Sequence, residues 1–120
     1  KKRELQDLLD KLKIHPSKKL GQNFLLDDNL LEFISKAANP KKEERIIEIG
    51  PGLGALTRLL LKSDAEVIAV EYDSRLVDYL SKSIQSDNFR LIHHDAARLN
   101  FNEIIPKDKA YRIISNLPYS

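Results

Sequence analysis

One stretch of the chain, Glu48-Ile49-Gly50-Pro51-Gly52-Leu53-Gly54, limits the possible folds more than any other. It follows an apolar run at residues 45–47 and leads into a helical pattern at residues 55–61. A strand, a glycine turn and a helix in this order begin the βαβ units that bind nucleotides. Glycine is needed in such a turn because the backbone bends sharply and a ligand approaches it where a Cβ atom would interfere. The stretch therefore predicts an α/β fold with a ligand site at the turn.

The remaining apolar segments continue this pattern. Strands are predicted near residues 45–49, 66–71, 89–93 and 111–116, with helices near 55–63 and 74–85 and a short irregular turn around 102–106. Strands that alternate with helices form crossovers and a parallel sheet. The strands are nearly continuous apolar runs, which is typical of a sheet covered on both faces. We predict a Rossmann-like domain over residues 21–120.

Residues 1–20 form a separate basic leader. They hold seven Lys and Arg against three Asp and Glu, whereas the rest of the chain holds thirteen against fifteen. Leucines at helical spacing predict an amphipathic helix over residues 3–13 that Pro16 ends. A basic segment of this kind suits contact with nucleic acid phosphates, and it equally suits a solvated charged helix.

A second helix is predicted between this leader and the first strand. Asp27 or Asp28 caps its start, and Asn39-Pro40 closes it. Its apolar residues recur at helical spacing, so the predicted inner face consists of Leu30, Phe33, Ile34 and Ala37.

Composition excludes several classes of site. The chain has no cysteine, which excludes disulfides, thiolate metal sites and thiol nucleophiles and is compatible with the cytoplasm. No apolar run approaches the ~20 residues that span a bilayer, and the basic start has no apolar core of a secretory signal. His93 and His94 are adjacent in a predicted strand and point to opposite faces, so they are poor joint ligands and no metal site is predicted.

Polar or glycine features follow all four predicted strands at their carboxyl ends. In a parallel sheet these ends share one edge, where ligands bind. The features are the glycine turn, Glu71, the pair Asp95 and Ala96, and the segment Asn116-Leu117-Pro118-Tyr119. Their convergence predicts one site along this edge.

The turn and Glu71 indicate the class of ligand. The spacing is Gly-x-Gly-x-Gly after the acidic Glu48, and it differs from the Gly-x-Gly-x-x-Gly that places a pyrophosphate at a helix N-terminus. S-adenosylmethionine has a ribose, a carboxylate and a sulfonium but no phosphate, and it suits this turn better. Glu71 can accept hydrogen bonds from ribose hydroxyls. The alternatives are a turn without a ligand, and a surface Glu71 that caps the next helix beside Asp73.

Asp95 and Ala96 have two interpretations. The Asp95 carboxylate can accept from the exocyclic amine of a bound adenine while the Ala96 N–H donates to a ring nitrogen. Alternatively, Asp95 is the N-cap of a short helix at residues 96–98.

The segment Asn116-Leu117-Pro118-Tyr119 can position an amino group for attack. An amine on an aromatic base is a weak nucleophile, and the Asn116 amide oxygen with a nearby backbone carbonyl can accept hydrogen bonds from both of its N–H groups. Pro118 fixes the turn, and Tyr119 offers a face on which an extruded base stacks. The alternative is a strand that simply ends in a proline turn.

Taken together, five motifs in order resemble those of the ribosomal RNA adenine dimethyltransferases, the KsgA/Dim family, to which the Erm methyltransferases are related. The motifs are Gly21-Gln22-Asn23-Phe24-Leu25, the stretch from Glu48 to Thr57, Glu71-Tyr72-Asp73, Asp95-Ala96 and Asn116-Leu117-Pro118-Tyr119.

The resemblance implies an activity and a role for each motif. S-adenosylmethionine would donate methyl groups to the exocyclic amine of adenine in small-subunit rRNA, leaving S-adenosylhomocysteine, by direct displacement without a metal. The cofactor would be held by Gln22, Asn23, Leu25, Glu48, Gly50, Gly52, Gly54, Glu71, Tyr72, Asp95 and Ala96, with Asn116 beside it. The target adenine would be positioned by Asn116, Leu117, Pro118 and Tyr119.

Members of the family are much longer than this chain and continue into further strands and a helical C-terminal domain. The resemblance therefore implies a class I methyltransferase fold truncated after its fourth strand, which binds S-adenosylmethionine and methylates rRNA weakly or not at all. The alternatives are a non-catalytic cofactor- or RNA-binding module and an NAD-dependent oxidoreductase. The fourth strand would become an exposed edge, so we expect a homodimer through residues 111–116.

Overall fold

The computed structural model describes residues 28–105 and 110–115, with only the backbone described for residues 28–31. Three α-helices are present: α1 is Asp28–Ala38, α2 is Ala55–Leu61 and α3 is Ser74–Ser83. The four strands are β1 at Arg45–Ile49, β2 at Glu66–Glu71, β3 at Phe89–His93 and β4 at Arg112–Ser115. Two short 3₁₀ helices, Ala96–Arg98 and Phe101–Glu103, follow β3. The predicted helix at residues 3–13 lies outside the described residues.

The strands form one parallel sheet in the order β3-β2-β1-β4. Ile47 in β1 is in register with Ile68 in β2 and Ile113 in β4. β2 and β3 lie on one side of β1 and β4 lies on the other, so the carboxyl ends of β1 and β4 meet at a topological switch point. The predicted α/β fold and its parallel sheet are confirmed.

Helices and loops bury both faces of the central strands. Ile46 faces α2 and packs in one cluster with Leu56, Leu60 and Val67. Ile47 points to the other face, where it packs with Ile68, Val70 and Ile105. Successive residues of β1 thus lie in different clusters, as strand geometry requires, and Glu48 returns to the face that α2 covers.

Helix α1 is rotated relative to its predicted orientation. Ile34 and Ala38 pack against the cluster around Ile46, but Phe33 is 69% exposed and Ala37 is also exposed. The predicted inner face that contained Phe33 and Ala37 is wrong for these two residues. One residue corresponds to about 100° around a helix, so the buried stripe is the adjacent one.

Candidate functional site

The glycine turn between β1 and α2 requires glycine at three positions. Gly50, Gly52 and Gly54 have φ values of 71°, 60° and 85°, which lie in the left-handed region that other residues rarely adopt. An added Cβ at Gly54 would also lie 2.9 Å from side-chain atoms of Arg58, Leu80 and Ile84. At this position both backbone conformation and close packing select glycine.

Hydrogen bonds within the protein use the N–H groups of all three glycines. Gly50 donates to the Val70 carbonyl at 3.0 Å, and Gly54 donates to the Pro51 carbonyl at 2.9 Å. Gly52 donates to Oε1 of Glu71 at 3.2 Å. The turn is therefore fixed to the end of β2. Its three glycine N–H groups already donate within the protein, so a ligand would contact the turn through shape complementarity.

Glu71 connects the turn to the start of α3. Its side chain is buried, with 7% of the residue exposed, and its Oε2 accepts from the N–H groups of Tyr72 and Asp73, each at 2.9 Å. Burial raises the pKa of Glu71, and these backbone donors oppose the rise. A carboxylate has about four acceptor positions, so three N–H bonds leave about one for a ribose hydroxyl. This burial contradicts the alternative that Glu71 is a surface acid that caps α3. The N-cap of α3 is Asp73, whose side chain accepts from the Arg75 N–H at 2.8 Å.

Glu48 is completely buried beneath α2. Its Oε1 accepts a hydrogen bond from the Thr57 hydroxyl, and its Oε2 has no hydrogen-bond partner among the residues that the structure describes. Burial raises the pKa of Glu48 to about 7; the Thr57 hydrogen bond opposes this rise, and the charge of Glu71 adds to it. A buried polar atom without a partner is costly, so Oε2 indicates where a donor or a cation belongs.

The residues after β2 and β3 lie at the same edge of the sheet. Tyr72 is 73% exposed, and its carbonyl contacts Nε2 of His93 at 3.0 Å. The Asp95 side chain accepts from Ala97 N–H at 3.0 Å and so caps the 3₁₀ helix Ala96–Arg98. The structure thus has the N-cap that the sequence offered as an alternative, while the predicted adenine contact of Asp95 stays a prediction.

Seven predicted site residues lie outside the described part of the chain: Gln22, Asn23, Leu25, Asn116, Leu117, Pro118 and Tyr119. The described part of β4 ends at Ser115, which is in register with Ile49. Ile49 directly precedes Gly50, so the register places Ser115 beside the last residue before the glycine turn.

Sequence reasoning missed two side chains that shape the site. Thr57 supplies the described partner of Glu48. Arg58 donates to the Leu53 carbonyl at 2.7 Å, to the Tyr79 hydroxyl at 3.3 Å and to Ser83 Oγ at 3.2 Å. Thr57 and Arg58 are the polar residues of the helical pattern that follows the turn. Polar residues of a helix usually face solvent, so the sequence pattern does not indicate that these two form hydrogen bonds at the site.

These residues fit the chemical groups of S-adenosylmethionine. Glu71 retains an acceptor for a ribose hydroxyl, Tyr72 offers an exposed ring, and Oε2 of Glu48 is an acceptor that the described residues do not satisfy. Within residues 28–105 and 110–115, no group of three acidic or histidine side chains is arranged to hold a metal ion. No helix in this part of the chain is both long and apolar enough to cross a membrane.

Comparison with known proteins adds a family match. The family model described as "Ribosomal RNA adenine dimethylase" matches residues 14–120. "Ribosomal RNA small subunit methyltransferase A" of Clostridium botulinum (strain Okra / Type B1) is 41% identical over 115 residues, which are 95% of this chain and 42% of that protein. The chain thus spans less than half the length of this relative.

Solved structures give the same fold. A dimethyladenosine transferase from Plasmodium falciparum aligns with a TM-score of 0.65 and 30% identity over 78% of this chain and 33% of its own. The 23S rRNA methyltransferase ErmE aligns with a TM-score of 0.66 and 25% identity over 78% of this chain and 37% of its own. The fold is that of the class I methyltransferases, as the resemblance of the motifs implied.

Proposed function

This chain belongs to the ribosomal RNA adenine dimethylase family, and on that premise we propose that it binds S-adenosylmethionine along the carboxyl edge of its sheet. The matched residues of this chain span only 42% of the relative named "Ribosomal RNA small subunit methyltransferase A". Methyl transfer to an adenine of small-subunit rRNA is therefore proposed for the whole protein. We infer that this chain alone binds the cofactor and methylates rRNA weakly or not at all. The proposed substrate places the activity in the cytoplasm.

The observation that carries this proposal is Glu48 Oε2, a buried acceptor that no described residue pairs with, beside a turn that needs three glycines. A ligand with a positive charge and a ribose would stabilise the buried carboxyl group of Glu48 and would donate a ribose hydroxyl to the remaining acceptor position of Glu71. A dinucleotide with a pyrophosphate would instead bring negative charge toward two buried carboxyl groups, which disfavours it.

We assign the parts of the cofactor as follows. Glu71 accepts a ribose hydroxyl, Tyr72 packs against the adenine, and Asp95 with Ala96 contacts the adenine edge. The methionine end is assigned by the family motif to Gln22, Asn23 and Leu25.

The protein's main contribution to methyl transfer is positioning. The cofactor supplies a methyl group made electrophilic by its sulfonium. The Asn116 amide oxygen and a neighbouring backbone carbonyl would accept hydrogen bonds from both N–H groups of the adenine amine and so orient its lone pair for attack. The nitrogen–carbon bond would form as the carbon–sulfur bond breaks, S-adenosylhomocysteine would leave, and the cationic amine would then lose a proton to water. Leu117 and Pro118 would shape the turn, and Tyr119 would stack on the base. Positioning of this kind is worth about 7–11 kcal/mol of barrier.

Calorimetric titration of the purified chain tests the binding proposal. S-adenosylmethionine and S-adenosylhomocysteine should bind and NAD should not. Glu71→Ala should weaken binding at least tenfold, because it removes the ribose acceptor and the anchor of Gly52, whereas Glu103→Gln at an exposed position serves as the control. Binding of NAD without binding of S-adenosylmethionine would refute the proposal, and turnover on small-subunit particles at the rate of a full-length relative would refute the weak activity.

We also propose that the chain forms a homodimer through β4. In the described sheet, β4 is the edge strand beside β1, and Ile113 on it is 47% exposed. An exposed strand edge with apolar side chains favours pairing with a second copy. Sedimentation should find dimers at micromolar concentration, and Ile113→Lys should shift them to monomers. A wild-type chain that remains monomeric there would contradict the proposal.

A further inference from the structure

The Glu48 carboxyl has a partner that suits both of its protonation states. A threonine hydroxyl can donate to an ionised carboxylate or accept from a protonated carboxyl group, and Thr57 contacts only Oε1 among the two oxygens. The other oxygen, Oε2, is buried and has no partner within residues 28–105 and 110–115. The Thr57 hydrogen bond favours the charged form of Glu48, but one neutral hydroxyl does not balance a buried negative charge.

The charged groups on the elements that surround Glu48 do not balance it either. From β2, Glu71 adds a second acidic group. From α2, Arg58 directs its guanidinium to the Leu53 carbonyl and to two hydroxyl groups. From β4, Arg112 pairs with Glu44 and the Ala38 carbonyl. None of the salt bridges found among the described residues reaches Glu48.

We propose that the Glu48 carboxyl, one of whose oxygens is buried without a partner among the described residues, holds a proton before the cofactor binds and releases it when the positively charged cofactor binds close by at the carboxyl edge of the sheet. Cofactor binding is then linked to proton release, and its affinity depends on pH. This inference rests on the proposed binding of S-adenosylmethionine and concerns the same site, but it can fail while that binding stands.

The direction of the linkage follows from charge. A cation close to a carboxylate favours the ionised form and lowers the pKa of Glu48 in the complex, whereas burial raises it to about 7 without the cofactor. Affinity should therefore rise as the pH increases toward 7 and become constant above it, because the proton is then already lost. One pH unit below the pKa, about nine-tenths of the carboxyl groups are protonated, so at pH 6 proton release should approach one per bound cofactor.

Calorimetry in pairs of buffers with different ionisation enthalpies measures this release directly. For S-adenosylmethionine, release should approach one proton at pH 6 and fall toward zero at pH 8, with an affinity up to about tenfold higher at pH 8. Glu48→Gln keeps the shape of the neutral carboxyl and should abolish the release, and Glu103→Gln should retain it. The wild-type titrations decide the matter on their own if Glu48→Gln does not fold.

Two further ligands identify which positive charge Glu48 senses. S-adenosylhomocysteine retains the ammonium but has a neutral sulfur, and 5′-methylthioadenosine lacks both charges. Proton release with S-adenosylmethionine alone would show that Glu48 responds to the sulfonium. Proton release with both S-adenosylmethionine and S-adenosylhomocysteine would show that it responds to the ammonium. Equal release with 5′-methylthioadenosine, release unchanged in Glu48→Gln, or bound S-adenosylmethionine without release would overturn the inference. Failure of S-adenosylmethionine to bind would instead remove the proposed function on which it rests.

Discussion

Glu48 should make the folding stability of the free protein depend on pH in an unusual direction. Its pKa is about 7 in the folded chain and has an ordinary value of 4.5. A raised carboxyl pKa means that the folded state binds the proton more tightly than the unfolded state does. The stability from this residue is therefore fully present below pH 4.5, is lost as the pH rises toward 7, and stays constant above that.

The size of the effect follows from the same shift. One pKa unit corresponds to about 1.4 kcal/mol, so the full change for Glu48 is about 3 kcal/mol. Between pH 5 and pH 8 the loss should be about 2–3 kcal/mol. This is a large part of the 5–15 kcal/mol that is typical of a small domain, so it lies well within reach of an equilibrium measurement.

Urea unfolding followed by circular dichroism at pH 5, 6, 7 and 8 measures this dependence. Glu48→Gln cannot ionise and should lack the decline, so the difference between the two proteins isolates Glu48 from Glu71, whose pKa burial also raises. Thr57→Val removes the hydrogen bond that favours the charged form and should extend the decline to higher pH. Equal pH dependence in wild type and Glu48→Gln would show that Glu48 is ionised in the folded protein and would refute the reasoning.

Three other substitutions test the site. Gly54→Ala should destabilise the chain by about 2–5 kcal/mol, because a left-handed alanine costs about 1–2 kcal/mol and overpacking costs about 1–3 kcal/mol; a urea midpoint within error of wild type would contradict the packing described here. Arg58→Ala should lower the free energy of unfolding by about 1–3 kcal/mol through its lost hydrogen bonds. In the double mutant it should make Gly54→Ala less destabilising, because it removes one of the three side chains that the added Cβ would meet. If the two losses of unfolding free energy simply add, the two positions are not coupled. Asn116→Ala should leave the affinity for S-adenosylmethionine within about twofold while it removes any methyl transfer that the wild type shows, and a large loss of affinity would assign Asn116 to the cofactor instead.

The strands and the glycine turn could be predicted from sequence because their signals are local. Apolar runs bounded by polar residues or glycine predicted β1, β2 and β3 with the same bounds as in the structure. The three glycines in seven residues indicated a tight turn, and in the structure all three have positive φ values. Local sequence preference is therefore enough to indicate these features before any distant contact is known.

Features that depend on how elements pack together could not be predicted. Helix α1 has two adjacent apolar stripes, and only its packing against α2 decides that Ile34 is partly buried while Phe33 is exposed. The alternation of β1 places Glu48 on the Ile46 face, but its complete burial depends on Thr57 and α2 above it. Likewise, Glu71 was expected to accept from a ligand, and its three backbone donors become visible only in the folded chain.

The anchoring of the glycine turn by Glu71 has a consequence for amide hydrogen exchange. One carboxylate shields the amide protons of Gly52, Tyr72 and Asp73, although Gly52 is 19 residues away from Glu71 in sequence. Release of this carboxylate from the turn would expose these protons to deuterium together. A slow, concerted exchange at the three positions would therefore report the opening of the turn, without a probe attached to the protein.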